Sequence, residues 1–504
     1  MSHATDHARI AVIGAGPVGL ATAIGLARAG IRPVVLDAKP AVAWTSRATC
    51  ISRRSQEILD RLGAGRAFAD KALGWSTGRT FHRDRLVFRL DMPHDAGDRH
   101  APFVNLQQYW TEQFLVDALA DQTGPDTLRW DHRVTAVRPD ADGVTLDLDT
   151  PDGARTLRAE WLVAADGGRS VVREQLGLKL HGTAYESRYL IADIEIPGVA
   201  RPVERLVWFD SPANPGSTVI VHIQPDHIWR IDCQLRDDED AEAALAEDAV
   251  RARITAQLAM MGVDAPWRLV WRSLYKALAL SLDEYRHGRV LLAGDAAHLV
   301  PIFGVRGLNS GFDDAHNLAW KLAAVMRGAA PDALLDSYGA ERRRATAENH
   351  AAAIKSTWFM SPPGPGFRLL RDAALHLAAE HPWASALVNP RQSSAHTYDA
   401  SPVIVHDDPI GGGVTPGAVL PNLRLGDGTW LHDLLPRDGF AVLATGTDDR
   451  DDAALRDLGL AVIRPAALPA ALAAPGLAGY LVRPDEHVAA RLPDLRPATV
   501  AAAL

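Results

Sequence analysis

Only two cysteines, Cys50 and Cys233, occur in the 504 residues. That excludes a disulfide framework, a cysteine-rich metal site and a C-x-x-C redox pair. Both cysteines read as small apolar fillers, and no metal-ligand constellation is present. Strongly basic stretches are also missing, and the net charge is −9. Nucleic acid and an anionic membrane are therefore poor partners. The richest basic run, Arg342-Arg343-Arg344, falls in a helical pattern and reads as a solvated helix face. No apolar run approaches the roughly 20 residues of a membrane span. The opening MSHATDHARIAVIGAG has neither a basic n-region nor a long apolar h-region, so a signal peptide is not expected. A cytoplasmic enzyme is the default expectation. Internal repeats are absent, and low complexity is confined to the Ala-rich tail.

What is present is ordinary globular material, 47% hydrophobic and 23% charged, enough for two or three domains. Near the start, the apolar strand RIAVI at 9–13 runs into GAGPVG, which supplies Gly14, Gly16 and Gly19 in the spacing G-x-G-x-x-G. A helical stretch follows, from Pro17 and Val18 to Gly30, and a second strand, RPVVLD, closes on Asp37. Alone, the glycine pattern is weak. Between a strand and a helix, with an acid about 20 residues on, it is a strong dinucleotide fingerprint. Gly14 permits the tight turn, Gly16 lets backbone approach a pyrophosphate, and Gly19 lets helix pack on sheet. The helix N-terminus faces the phosphates, and Asp37 holds ribose hydroxyls. The fingerprint does not separate a nicotinamide from a flavin dinucleotide.

Two later stretches do. WLVAADGGRSVVREQLG at 161–177 ends a strand in Asp166-Gly167. RVLLAGDAAHLVPIFGVRGLNSG at 289–311 ends another in Gly294-Asp295. Both deliver an aspartate to what should be one sheet edge. Apolar residues at helical spacing, Phe312, Ala315, Leu318, Ala319 and Leu322, place a helix start near Leu308-Asn309-Ser310. Its N–H groups and dipole favour negative charge. A reduced flavin places negative charge at its N1–C2=O edge, and a nicotinamide does not. Asp295 is thus expected on the ribityl chain of FAD. Pro301 through Asn309, with Gly307 and the N–H groups of Leu308 and Asn309, is expected around the isoalloxazine. His298 reads as structural, holding the turn after Asp295.

The three motifs in this order resemble the class A (single-component) flavoprotein monooxygenases, in the branch of phenol hydroxylase and 3-(3-hydroxyphenyl)propionate hydroxylase. Two further stretches match. In SRATCISRRSQEILDRLG at 46–63, Arg47 takes the place of a cofactor-touching arginine. In FVNLQQYWTEQFLVDAL at 103–119, Gln107 takes that of a flavin-contacting glutamine. Val134 falls where the family has its adenine contact. The resemblance covers about 1–395. It departs at Pro301-Ile302-Phe303-Gly304, where Pro-Pro-Phe-Gly is common, and at Val305-Arg306, which replaces Gly-Gln. It implies FAD reduced by transiently bound NADPH or NADH. It further implies O2 uptake to a C4a-hydroperoxyflavin and hydroxylation of a phenolic or related aromatic small molecule. The single glycine fingerprint agrees with transient nicotinamide binding, since GGGVTPG at 411–417 lacks the spacing and a preceding strand.

The implied fold is α/β: a Rossmann-type FAD-binding domain with an inserted mixed β-sheet substrate domain and a thioredoxin-like C-terminal domain. Residues 1–73, 101–180 and 281–395 are assigned to the first. Residues 74–100, a hairpin, and 181–280, with an acidic helical insert, form the second. The boundary near SPVIVHDDPIGGGVTPG opens the third, 396–504, which lacks cysteine and suits a structural or homodimer role. Candidates for the catalytic pocket are Pro301, Thr49, Tyr185, His222 and Trp229. For His222 and Tyr185 an ordinary place on a sheet is the plainer reading. Three other outcomes keep the flavin: Baeyer–Villiger or epoxidation chemistry on a polyketide-type substrate, dehydrogenation or reduction without oxygen insertion, and a non-catalytic scaffold.

Overall fold

The computed structural model describes residues 5–45, 47–95, 97–388, 392–405 and 410–504. Outside them lie Ser46, at the head of the arginine stretch, residues 1–4, and residues 406–409 of the expected boundary.

The first sheet holds the dinucleotide fingerprint. Its spatial order is Arg286–His287, Val290–Leu292, Gly153–Ala164, Thr5–Ile13, Val34–Leu36 and Leu128–Arg129. The neighbours from Val290–Leu292 to Leu128–Arg129 are all parallel. A parallel sheet is covered on both faces, so its strands are continuously apolar. Ile10, Val12, Leu162 and Leu291 are fully buried in one core, each adding about 1.5–3 kcal/mol. Ile13 pairs with Ala164, and Ala164 with Leu292. The three strands therefore end level, and their loops emerge side by side at the carboxyl edge.

The second sheet has the order His298–Leu299, Arg268–Ser281, His181–Glu195, Ile228–Leu235, Asn214–Ile223, Arg205–Ser211, Thr77–His82 and Arg85–Asp91. One face carries an apolar cluster: Leu190, Leu206, Val219, Trp229 and Ile231 pack with Val250, Ile254 and Leu258 of the helix Glu247–Met260. Tyr189, Val207, Phe209 and Ile220 on the other face pack with Phe303 and Met360. The sheet is thus roofed by the segment after Asp295. A small antiparallel sheet, Cys50–Ser52, Phe103–Asn105 and Leu73–Trp75, joins the two large ones.

The tail forms a four-stranded sheet, Ala461–Ile463, Ala441–Ala444, Gly479–Val482 and Val488–Leu492. Its turn Arg483–His487 is buried against the dinucleotide region. Arg483 holds Glu341 at 2.7 Å, and Lys321 holds the same carboxylate at 2.7 Å. Glu486 lies 3.0 Å from Arg54, 2.8 Å from Arg61 and 2.8 Å from His316. These contacts fix the helices Arg53–Leu62 and Arg306–Met326.

Candidate active site

Three loops meet at the carboxyl edge of the first sheet. A Cβ on Gly14 would stand 2.4 Å from the Ala165 carbonyl oxygen, and one on Gly19 would stand 1.9 Å from that of Gly14. Both glycines are filled against protein. Gly16 differs, because no atom lies within 4 Å of where its Cβ would be. The backbone at Gly16, at the N-terminus of the helix Pro17–Arg28, therefore faces open space. Pro17 is buried at the first turn, and Val18 packs its side chain on Gly294 and Gly311. Asp37 accepts from the N–H groups of Ala15 at 2.7 Å and Lys39 at 2.9 Å, which ties the fingerprint to the second strand. Val134 puts its side chain in the core, leaving only its backbone free to meet a ligand.

Asp166 and Asp295 stand on neighbouring loops. Asp166 Oδ2 accepts from the Val172 N–H at 3.1 Å, while its buried Oδ1 has no partner. Burial raises its pKa, against the opposing hydrogen bond from Ser170. The Asp295 side chain is exposed and opens into the cleft. The protein massed around it still raises its pKa, against His298 and Arg47. Arg173 bridges the two loops, donating to the carbonyls of Ala296 at 3.1 Å and Gly168 at 2.5 Å. Beneath them, the fully buried Asp314 accepts from the Gly294 N–H at 2.9 Å, contacts His298 Nε2 at 2.6 Å and accepts from Arg342 Nε at 2.6 Å. His298 thus sits in the support of the turn. Arg342 corrects the solvated-face reading of its run. It is fully buried, because Asp314, Ser310 and Tyr398 surround it, while Arg343 and Arg344 remain partly exposed.

After Asp295 the chain passes the buried Pro301 and reaches Val305 at φ 54° and ψ 42°. This left-handed backbone is costly for a β-branched residue. It starts the helix at Arg306, one turn before the expected Leu308-Asn309-Ser310. The N–H groups of the first turn, including Leu308, carry the helix's positive end. Gly307 faces open space. The Asn309 side chain is committed to protein: it accepts from the Ser52 N–H at 2.9 Å and Ser55 Oγ at 2.8 Å, and donates to the Cys50 carbonyl at 3.1 Å. Burial lowers the pKa of Arg306 to about 10, and its guanidinium donates to carbonyls of Phe303 and Gln392.

The second sheet meets this cleft through its polar end. Arg230 holds Asp193 with two 2.8 Å hydrogen bonds and donates to the Arg47 carbonyl at 2.7 Å. Thr49 donates to Gln224 at 3.3 Å, and Gln107 donates to the Pro225 carbonyl at 2.9 Å. The other amide atom of Gln107, Oε1, is buried without a partner. The exposed Arg47 and the buried Thr49 and Gln107 are therefore brought together. His222 joins them, 3.7 Å from Cys50 Sγ. Burial, then Arg205 and Arg230, lower its pKa to about 3. It is a neutral hydrogen-bonding group at any physiological pH. Two candidates are not brought in. Trp229 lies on the opposite, apolar face. Tyr185 stands in the register break between Ala184 and Arg188, eight residues and roughly 26 Å along its strand from Asp193.

Sequence reasoning missed Arg173, Asp314, Arg230, Arg205 and Asp232. The alternation in IWRIDCQL was a usable signal: Arg230 and Asp232 share one face, and Trp229 and Ile231 the other. Asp232 is buried with an unpartnered Oδ1, and burial pushes its pKa up to about 7 against the Arg230 charge.

The FAD binding domain family matches residues 7–353. The chain belongs to that family. This flavoprotein is 31% identical over 455 residues to 3-(3-hydroxy-phenyl)propionate/3-hydroxycinnamic acid hydroxylase of Mycolicibacterium smegmatis, covering 88% of the chain and 77% of the relative. It is 34% identical over 392 residues to 12-dehydrotetracycline 5-monooxygenase/anhydrotetracycline 6-monooxygenase of Streptomyces rimosus, covering 73% of each. The fold matches that of the flavin-dependent monooxygenase PieE in complex with FAD and substrate, with a TM-score of 0.82 and 23% identity over 99% of each chain. The family is that of the class A FAD-dependent aromatic monooxygenases, which are oxidoreductases. The residues present fit FAD: open backbone at Gly16 and Gly307, and unpartnered buried oxygens on Asp166 and Gln107. Among the described residues no group of His, Cys, Asp and Glu could hold a metal, and no helix is long and apolar enough to cross a membrane.

Proposed function

We propose that the chain hydroxylates a phenolic or related aromatic small molecule, using O2 and transiently bound NADPH or NADH. The observation that carries this reading is the polar end of the second sheet, laid directly on the flavin-side segments through Arg230–Arg47, Thr49–Gln224 and Gln107–Pro225. A ring held there lies between a dinucleotide cleft and a floor of fixed polar groups. Bound FAD supplies the redox chemistry that activates O2 and delivers one oxygen atom to the ring.

The chain's own residues bind, orient and keep water out. Gly16, Pro17 and Val18 present the helix N-terminus to the pyrophosphate, Asp37 takes ribose, and Val134 offers backbone to adenine. Asp166 and Asp295 with Gly294 hold the ribityl chain. Pro301, Gly307, Leu308 and Asn309 border the ring system with Arg47 and Gln107. His222 and Thr49 orient the substrate hydroxyl. Asp232 takes its proton, since a carboxylate with a pKa near 7 accepts a proton at neutral pH. The division into a dinucleotide domain, a sheet domain and a tail is supported by the separate sheets, and the thioredoxin-like reading of the tail by its strand order.

The 34% identity to a tetracycline-pathway monooxygenase favours a second reading, in which the same floor receives a fused polyketide ring. The test is NAD(P)H oxidation by flavin-loaded protein over a panel of phenols, hydroxylated aromatic acids and fused polyketides under ¹⁸O2, with peroxide scored alongside. Strong stimulation by a phenol or aromatic acid, with labelled product and little peroxide, is expected. Label only in polyketide products moves the assignment to the second reading. Oxidation with no labelled product from any compound overturns both.

A further inference from the structure

Arg205 opens the strand Arg205–Ser211. Leu206 pairs antiparallel with Val221, so the next rung sets Arg205 opposite His222; His222 pairs with Arg230, and Arg230 with Asp193. Directly paired residues project from one face. Arg205, His222, Arg230 and Asp193 therefore form one row across four strands. Val207 and Phe209, which alternate with Arg205 on its strand, lie on that same face against Phe303 of the flavin loop. The row thus belongs to the cleft side.

The row's charges do not balance locally at its outer end. Four buried guanidiniums elsewhere each hold a carboxylate: Arg54 has Glu486, Arg230 has Asp193, Arg342 has Asp314 and Arg483 has Glu341; Arg306 instead donates to the carbonyls of Phe303 and Gln392. Arg205, only partly exposed, has no carboxylate in ion-pair range and no hydrogen bond to its side chain among the described residues. The polar groups facing it are neutral. Burial pushes the Cys50 thiol up to about 12, and the His222 ring is uncharged. Its neighbour on the far side, Gly78, has no side chain. Trp75, Val203 and Val305 pack with Cys50 beside it. A partly desolvated cation without a counter-ion is unfavourable, and the cost is relieved when an anion arrives. A guanidinium fork matches a carboxylate through two parallel hydrogen bonds.

We propose that Arg205 is the counter-ion for a carboxylate carried by the substrate, so that the substrate class is a hydroxylated aromatic acid. This rests on the aromatic-hydroxylase reading and narrows it: a neutral phenol or an uncharged fused ring leaves Arg205 unmatched. Holding the acid at Arg205 fixes one end of the molecule against the floor.

The test uses flavin-loaded protein without nicotinamide. Two matched pairs are titrated by calorimetry: 3-(3-hydroxyphenyl)propionate with its primary amide, and 3-hydroxybenzoate with 3-hydroxybenzamide. In the unaltered protein at least one acid should bind about tenfold or more tighter than its amide, as a buried charge-assisted pair requires. Arg205→Gln should erase that preference, and Arg205→Lys should keep part of it, with flavin content and melting temperature reporting the fold. If Arg205→Gln fails to load flavin, the acid-to-amide ratio of the unaltered protein and of Arg205→Lys decides. Equal affinity for acid and amide in the unaltered protein overturns the proposal, as does a preference that survives Arg205→Gln. Labelled product from neutral phenols alone would sink Arg205 as substrate counter-ion and leave the hydroxylase reading standing. Absence of labelled product from every compound removes both.

Discussion

Arg230 donates from Nη1 to the Arg47 carbonyl at 2.7 Å while its Nε and Nη2 clasp Asp193. One guanidinium thereby fastens the second sheet to the backbone of the arginine segment at the flavin cleft. Both side chains of the Asp193–Arg230 pair are almost wholly buried. Arg230→Met leaves Asp193 buried and unpaired, which costs about 3–5 kcal/mol. It also releases the Arg47 carbonyl. The expected outcome is a lower melting temperature and weaker FAD retention. Adding Asp193→Leu should recover part of the stability but not the flavin affinity, because the carbonyl stays unheld. Equal recovery of both would show that the Arg47 tie has no role in the cleft.

Gly16 and Gly19 are both glycines of the fingerprint, yet they should fail differently. A side chain at Gly16 projects into open space, so Gly16→Val should fold and melt near the unaltered protein while losing FAD. At Gly19 a Cβ meets the Gly14 carbonyl oxygen at 1.9 Å. Gly19→Ala should therefore destabilise the apoprotein itself by about 1–3 kcal/mol through overpacking. Flavin absorbance per chain, set beside a thermal melt, separates the two. Yellow Gly16→Val protein would contradict the placement of the pyrophosphate.

The first sheet was legible because its chemistry is local. Strand, glycine turn and helix follow one another within 9–28, and both Asp166 and Asp295 follow continuous apolar strands, as a parallel sheet demands. The proposed substrate floor was less legible because alternation names two faces without saying which is inward. His222 and Trp229 both looked eligible, and only the antiparallel register puts Arg230, not Trp229, beside His222. Arg342 was misread because its partner Asp314 comes from another helix, and a charge run carries no trace of that contact. The early helix start was hidden for a related reason. Val305 is held in a left-handed conformation by its surroundings, against its own preference.

Glu486 anchors the tail from a position with no exposure at all. The guanidiniums of Arg54 and Arg61, with His316, hold its carboxyl well below the usual range against the burial that would raise it. A depressed carboxylate pKa contributes stability that is complete above the unfolded value, about 4.3, and is lost as pH falls below it. Glu486→Gln leaves Arg61, whose other partners are carbonyls of His432, Leu435 and Pro436, without its counter-charge. Its cost should be about 3–5 kcal/mol at pH 7. It should shrink steadily below pH 4 in thermal melts. A variant as stable as the parent at pH 7 would mean that the tail docks by its apolar contacts alone.

Asp232 should show the opposite pH dependence. Its folded pKa of about 7 lies above the unfolded value of about 3.9. The folded chain therefore binds a proton that the unfolded chain releases between these values. Stability is fully present below pH 4 and falls as pH rises toward 7, by a total on the order of 2–4 kcal/mol. Asp232→Asn abolishes that slope and should melt at a higher temperature than the parent at pH 8, since Arg230 keeps Asp193. The same substitution removes the proton acceptor proposed for the substrate hydroxyl. Turnover of the flavin-loaded parent should then rise with pH through about 7, and that of the variant should be lower and flat across the range. A variant that is stabilised at pH 8 but keeps the parent's rate profile would confine Asp232 to a titrating core residue and return the proton to solvent.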